Sequence, residues 1–207
     1  MIEARNIAGV LLAGGLARRM GGGDKCLRPL AGKPILEHVV ERVSPQVGPL
    51  MLNANGDAKR FTAFDLPIAP DVIEGYAGPL AGVLTGMEWA AAEAPGCAWL
   101  ASFATDAPFL PEDMVARLVR AIAAEGADMA RAASEGRAHP VFALWPVALR
   151  ADLRSAVVEH DMRKVDAWTA RYNLATVEFS TEPRDPFFNA NRPEDFAEAE
   201  RLMGSAD

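Results

Sequence analysis

Short apolar runs alternate along the chain with longer segments whose apolar residues recur every three or four positions. Ile7–Leu12 is the first run and predicts a buried strand. Ile35, Leu36, Val39, Val40 and Val43 then recur at helical spacing. Residues 50–52 predict a second strand, closed by Asn53-Ala54-Asn55-Gly56, and residues 66–69 a third. Residues 78–92 predict a helix with Pro79 in its first turn, where a missing N–H costs little. Residues 98–104 are apolar almost throughout, as in a strand covered on both faces. Pro111-Glu112-Asp113 opens the next helix with proline and acids in its first turn. Met114, Val115, Leu118, Val119 and Ile122 form its apolar stripe, and Gly126 ends it. Residues 127–132 and 140–145 predict two strands joined by an exposed turn at 134–137. Helical patterns follow at 147–159 and 162–171, then a strand at 176–179. A last helix begins after Pro193, with Phe196, Ala199, Leu202 and Met203 on one side.

Strands alternating with helices argue for an α/β sandwich on a mainly parallel sheet, and the turn near residue 136 adds antiparallel pairing. With 207 residues, no internal repeat and no low-complexity linker, the expectation is one domain spanning 1–207. Half the residues are hydrophobic and 24% are charged, an ordinary globular composition. A net charge of -7 argues against a surface built for nucleic acid or membrane. The apolar stretch at residues 7–13 is too short to span a bilayer. Arg18 and Arg19 follow it, the wrong flank for a signal peptide, so the cytoplasm is the expected location. Cys26 and Cys97 form no C-x-x-C pair, which argues against a zinc site, and both read as packed thiols.

The charge is uneven. Between residues 18 and 33, Arg18, Arg19, Lys25, Arg28 and Lys33 stand against a single acid, Asp24. That excess points to an anionic small ligand; a basic solvated loop is the alternative. The first strand runs directly into Gly14-Gly15, with Gly21, Gly22 and Gly23 before Lys25. Glycines let backbone approach a ligand, successive N–H groups form an anion-binding concavity, and the lysine adds a point charge. No glycine-lysine pair is followed by serine or threonine, so the Walker pattern is absent, as is G-x-G-x-x-G after strand one. On these grounds the loop is either a phosphate cradle or a tight turn with a solvated lysine.

Leu12-Ala13-Gly14-Gly15, Arg19-Met20-Gly21 and Asp24-Lys25 together resemble the signature of the nucleotidyltransferases that act on the molybdenum cofactor. The double glycine is more similar to the guanylyltransferase branch than to the cytidylyltransferases. Ala17 stands where serine is common. Leu52-Asn53-Ala54-Asn55, Asp71 after Pro70, Gly78-Pro79-Leu80-Ala81-Gly82, and Asp106 ahead of Pro108-Phe109-Leu110-Pro111 extend the likeness over nearly the whole chain. His139-Pro140 and Phe188-Asn189-Ala190-Asn191-Arg192-Pro193 also resemble family segments.

The resemblance implies a three-layer α/β/α Rossmann-like nucleotidyltransferase fold. It implies nucleotide contacts at Leu12, Ala13, Gly14, Gly15, Lys25, Asn53, Asp71 and Asp106, and Mg2+ on Asp106, with Lys25 and Arg19 offsetting phosphate charge. Physically, an amide at a strand end donates and accepts at a base edge, and a hard cation favours a carboxylate with phosphate oxygens. Asn189 and Asn191 fit the second-substrate or metal region; Asn191 is equally a cap for the last helix. Arg137 and Arg163 are candidates for the pterin, while His38 and His160 receive no role. The implied reaction joins GMP from Mg-GTP to the terminal phosphate of molybdenum-loaded molybdopterin, releasing pyrophosphate. Cofactor biosynthesis and insertion proteins would be transient partners. Since that phosphate is already ionised near neutral pH, no Ser-His-Asp arrangement is required. CTP, a sugar phosphate, or a non-catalytic carrier of nucleotide or molybdopterin stay open as alternatives.

Overall fold

A computed structural model describes residues 2–14, 24–75 and 78–204. Its centre is a seven-stranded sheet. In chain order the strands are β1 (Ile7–Leu12), β4 (Leu50–Asn53), β5 (Ile68–Ala69), β6 (Trp99–Ala104), β7 (Met129–Ser134), β8 (Arg137–Pro146) and β9 (Leu174–Phe179), with a separate hairpin of β2 (Pro29–Leu30) and β3 (Lys33–Pro34) after β1. Across the sheet the order is β5-β4-β1-β6-β8-β7-β9. Neighbours are parallel except where β8 pairs with β6 and β7, so β8 alone runs backwards.

Strand alternation sorts the core onto two faces. Leu11, Leu52 and Phe103 turn to one, where α1 (Ile35–Val43), α3 (Met114–Glu125) and α6 (Pro193–Gly204) cover them. Val10, Met51 and Leu100 turn to the other, under α2 (Pro79–Glu93), α4 (Arg150–Val158) and α5 (Val165–Thr169). Both faces of β1 are therefore shielded, which is why it reads as a continuous apolar run. Each fully buried leucine contributes about 1.5–3 kcal/mol.

The elements match the expected order, with differences that have local causes. Strand β5 has two residues; Pro67 before it has no N–H to give and joins through its carbonyl, which accepts from Leu52 N at 2.8 Å. The pattern at 147–159 begins as a 3-10 turn, Val147–Leu149, before α4. The one at 162–171 shortens to α5, because Asp161 adopts φ 46 and residues 161–164 stay out of helix. Gly126 ends α3 with φ 61, as its position predicts. The β2–β3 hairpin turns on Ala31 and Gly32, both at positive φ.

α2 lies against β1 because it lacks side chains at two contacts. A Cβ on Gly82 would stand 2.5 Å from Asn53 Oδ1 and 2.7 Å from Leu12 Cδ2; one on Gly86 would stand 2.9 Å from Val10 and Leu100 atoms. That approach brings the N-terminal end of α2 to the carboxyl ends of β1 and β4.

Candidate active site

The chain builds outward from β1 to β4 and β5, then returns through α2 to β6 on the other side of β1. Such a switch point opens a crevice beyond the carboxyl ends of the strands, where ligands bind in open α/β sheets. Leu12 stands in register with Asn53 and with Ala104. The strand ends are laced together: Ala13 N donates to Asn53 O at 2.9 Å, and Thr105 Oγ1 donates to Leu12 O at 3.2 Å.

One polar group gathers around Asp71. Asn53 Nδ2 donates to Asp71 Oδ1 at 3.0 Å and to Ala69 O at 3.2 Å. Asn55 Nδ2 donates to Asp71 Oδ2 at 2.8 Å, and its Oδ1 accepts from Asp71 N at 2.8 Å. Val72 N donates to Thr85 Oγ1 at 3.0 Å, pinning the loop to α2. The carboxylate is thus held in one orientation from both sides. Asn53 is buried and both its amide hydrogens are committed within the protein. One of those hydrogens orients Asp71 and the other holds Ala69 O.

The second group is Lys25, Asp106 and Asn191. Lys25 opens the 3-10 turn Lys25–Leu27, and Asp106 lies two residues beyond β6. Lys25 Nζ is ion-paired with Asp106 Oδ2 and donates to Asn191 Oδ1 at 2.7 Å. The charged side chains are only 14% and 17% exposed, so the pair is shielded from solvent. Asn191 arrives on a strap beyond β9, where Ala190 N donates to Asp106 O at 3.1 Å. Its side chain joins the site instead of capping α6. Asp195, in the first turn of α6, reaches back so that its Oδ2 accepts from the N–H groups of Asn191 and Arg192 at 2.8 Å each. Asn189 Oδ1 is buried with no hydrogen-bond partner among the described residues. The side-chain oxygens of Asp106, Asn189 and Asn191 are the ligand type hard divalent cations select.

A Cβ at Gly14 would meet nothing within 4 Å among the described residues. Gly15 and Arg19 lie outside the described residues. Arg163 pairs with Asp161 at 3.0 Å and Arg137 is exposed at the start of β8. Cys26 is buried beside Lys25, and burial pushes its thiol up to about 11 despite a hydrogen bond with Thr105, so it is no nucleophile.

Sequence reading missed Arg60. Its guanidinium reaches Asp24 Oδ2 at 3.1 Å and donates to Asn55 O at 2.6 Å, tying the residue before Lys25 to the Asp71 group. Only a fold that brings Asp24 to the segment Ala58–Phe64 reveals that brace.

A switch-point crevice that gathers a lysine, a carboxylate and laced strand ends marks an α/β nucleotide-binding enzyme. The MobA-like NTP transferase domain profile matches residues 9–175. Over 201 residues the chain is 57% identical to the molybdenum cofactor guanylyltransferase of Bradyrhizobium sp. (strain ORS 278), covering 97% of this chain and 95% of that one. Over 193 residues it is 56% identical to the protein of that name from Rhodopseudomonas palustris (strain BisB5), covering 93% and 92%. The solved structure of molybdopterin-guanine dinucleotide biosynthesis protein A from Archaeoglobus fulgidus superposes with a TM-score of 0.71 at 22% identity, over 95% of this chain and 98% of that one, and so shares the fold. The chain belongs to the MobA-like NTP transferase family and is a nucleotidyltransferase.

Proposed function

We propose that the protein transfers GMP from GTP to the terminal phosphate of molybdenum-bearing molybdopterin, with residues 1–207 acting as one domain. The observation that carries the reading is the meeting of Lys25, Asp106 and Asn191 at the switch point. The chain is also more than half identical to proteins named molybdenum cofactor guanylyltransferase, which supports the choice of substrates.

The nucleophile is a phosphate already ionised near neutral pH, so the site needs position and positive charge more than a base. Lys25 Nζ, released from Asp106, offsets charge on the triphosphate as the bond to pyrophosphate breaks. We assign Gly14, two residues beyond β1, to the triphosphate, and Gly15 and Arg19 with it on their sequence alone. Asp71, held by Asn53 and Asn55, keeps unused lone pairs; a carboxylate accepts from the neighbouring N1–H and N2–H of guanine, a donor pair that cytosine lacks. Asp106, with Asn189 and Asn191 beside it, would hold a divalent cation. We assign Mg2+, which when bound would neutralise phosphate charge. No helix among the described residues is long and apolar enough to cross a membrane, and we place the reaction in the cytoplasm.

The test supplies molybdopterin and magnesium with GTP, CTP or ATP in turn, weighs the product and counts released pyrophosphate. A gain of one GMP, from GTP only, is the expected result. Gain from CTP makes the protein a cytidylyltransferase. Nucleotide binding with no pyrophosphate release makes it a carrier and overturns the proposal.

A further inference from the structure

Three polar side chains that the mechanism does not use meet behind the strap that carries Asn191. Ser134 is the last residue of β7, His139 lies across the hairpin on β8, and Asp185 follows β9. Ser134 and His139 are both buried. Ser134 Oγ is 2.8 Å from His139 Nε2 and 3.3 Å from Asp185 Oδ1. The residue types are those of a hydrolase triad, but the order is wrong for one. A nucleophilic serine is exposed and gives its proton to the imidazole. Here the hydroxyl is shut in the core between ring and carboxylate. A carboxylate only accepts, so the single hydroxyl hydrogen goes to Asp185, and His139 must donate to Ser134 through Nε2–H. Burial lowers the basicity of His139 and so favours the neutral ring, with its hydrogen on Nε2. The result is a chain running one way, from imidazole to hydroxyl to carboxylate.

Its far end is Phe187. Asp185 Oδ1 also accepts from Phe187 N at 2.9 Å, and Asp185 O accepts from Phe188 N at 3.2 Å. The Phe187 ring is buried, stacked on the His139 imidazole at 4.4 Å and packed against Phe142 at 5.0 Å and Phe179 at 5.4 Å. His139 therefore holds Phe187 twice, by its ring face and through the chain. Three residues further on, Ala190 N meets Asp106 O, and the next side chain, Asn191, meets Lys25.

We infer that His139, Ser134 and Asp185 are positioning residues: they seat Phe187 and so set where Asn189 and Asn191 meet Lys25 and Asp106. The inference rests on the site reading above. A strap outside any ladder has no backbone register to fix it, so side-chain bonds must supply the register.

The experiment compares steady-state transfer, melting temperature and amide hydrogen exchange over residues 185–192 in wild type, Ser134→Ala, Ser134→Thr, Asn191→Ala and the double variant Ser134→Ala/Asn191→Ala. Ser134→Ala should lower kcat by about tenfold to a hundredfold, the effect of a small misplacement, with KM for the triphosphate within about twofold. Exchange should rise over 185–192, and Ser134→Thr, which keeps the hydroxyl, should restore both. The double variant should be no slower than Asn191→Ala, because the two act on one group. If Asn191→Ala is crippled while folded Ser134→Ala keeps its kcat, the positioning chain is wrong and the site reading stands. If Ser134→Thr loses as much kcat as Ser134→Ala at unchanged melting temperature, the chain is also wrong. If Asn191→Ala turns over normally, the placement of Asn191 in the site fails and takes the inference with it.

Discussion

The sheet divides beside β6 into two halves that bring residues to the site in different ways. In β5-β4-β1-β6 every strand is parallel, and each ends at the same rim. Gly14, Asn53, Asp71 and Asp106 all sit at a strand end or two residues beyond it. In β8-β7-β9 the middle of the sheet is interrupted by the reversed β8, and the contribution arrives on a strap well past β9. The first half positions chemistry with the backbone ladder, which leaves little freedom. The second positions it with a hydroxyl, a carboxylate and a cluster of rings. A parallel ladder delivers strand ends for free geometric reasons; a strap must be tied down residue by residue.

Removing charge from the meeting point of the two halves gives the largest expected effect. Lys25→Ala or Asp106→Asn should cut turnover by about a hundredfold or more, as when a preorganised charge-stabilising group is lost. Single-turnover rates with circular dichroism check this; near-normal rates in folded variants would show that neither side chain acts. Gly82→Ala attacks the ladder half from behind, since its Cβ would collide with Asn53 and Leu12. Overpacking of this kind costs about 1–3 kcal/mol, read as a lower melting temperature, together with a higher KM for nucleotide as Asp71 loses its orientation. Arg60→Met removes the brace between Asp24 and Asn55. The expected result is a rise of about three- to tenfold in triphosphate KM with little change in melting temperature, the scale of one or two hydrogen bonds.

The smallest effect is one of pH and belongs to the strap half. Burial holds the folded pKa of His139 below its ordinary value of 6.5. The unfolded chain therefore binds the proton more readily, so the stability gained from the neutral ring is present above about pH 6.5 and is lost as pH falls through the folded value. Asp152 does not confuse the window. Its burial opposes ionisation, but bonds from Tyr172, Trp168 and Arg171 hold it below 3.8, and its contribution fades only under that pH. The melting temperature should be lower at pH 5 than at pH 7, and His139→Gln should flatten the difference.

The two halves also differ in how much the sequence discloses. β1, β6 and α2 are visible because burial on both sides demands apolar runs, and Gly14, Lys25, Asp71 and Asp106 stand in recognisable spacings beside them. Ser134, His139 and Asp185 carry no such spacing: the serine and the aspartate are 51 positions apart and meet only because β9 pairs with β7. Arg60 is invisible for the same reason. Sequence allows Asn191 to be either a cap or a site residue; in the fold its side chain turns to Lys25, and Asp195 accepts from its backbone N–H. The β2–β3 hairpin has too few residues for any periodicity to register.

The bond between Lys25 and Asn191 joins positions 166 apart. A ribosome adding roughly 5–20 residues per second needs about ten to thirty seconds to travel that distance. Throughout that interval the nascent chain bears the lysine without its asparagine, and a partly made molecule lacks the strap that completes the proposed centre. Commitment to catalysis is thereby deferred until the segment that carries Asn191 has been made and docks beside Lys25.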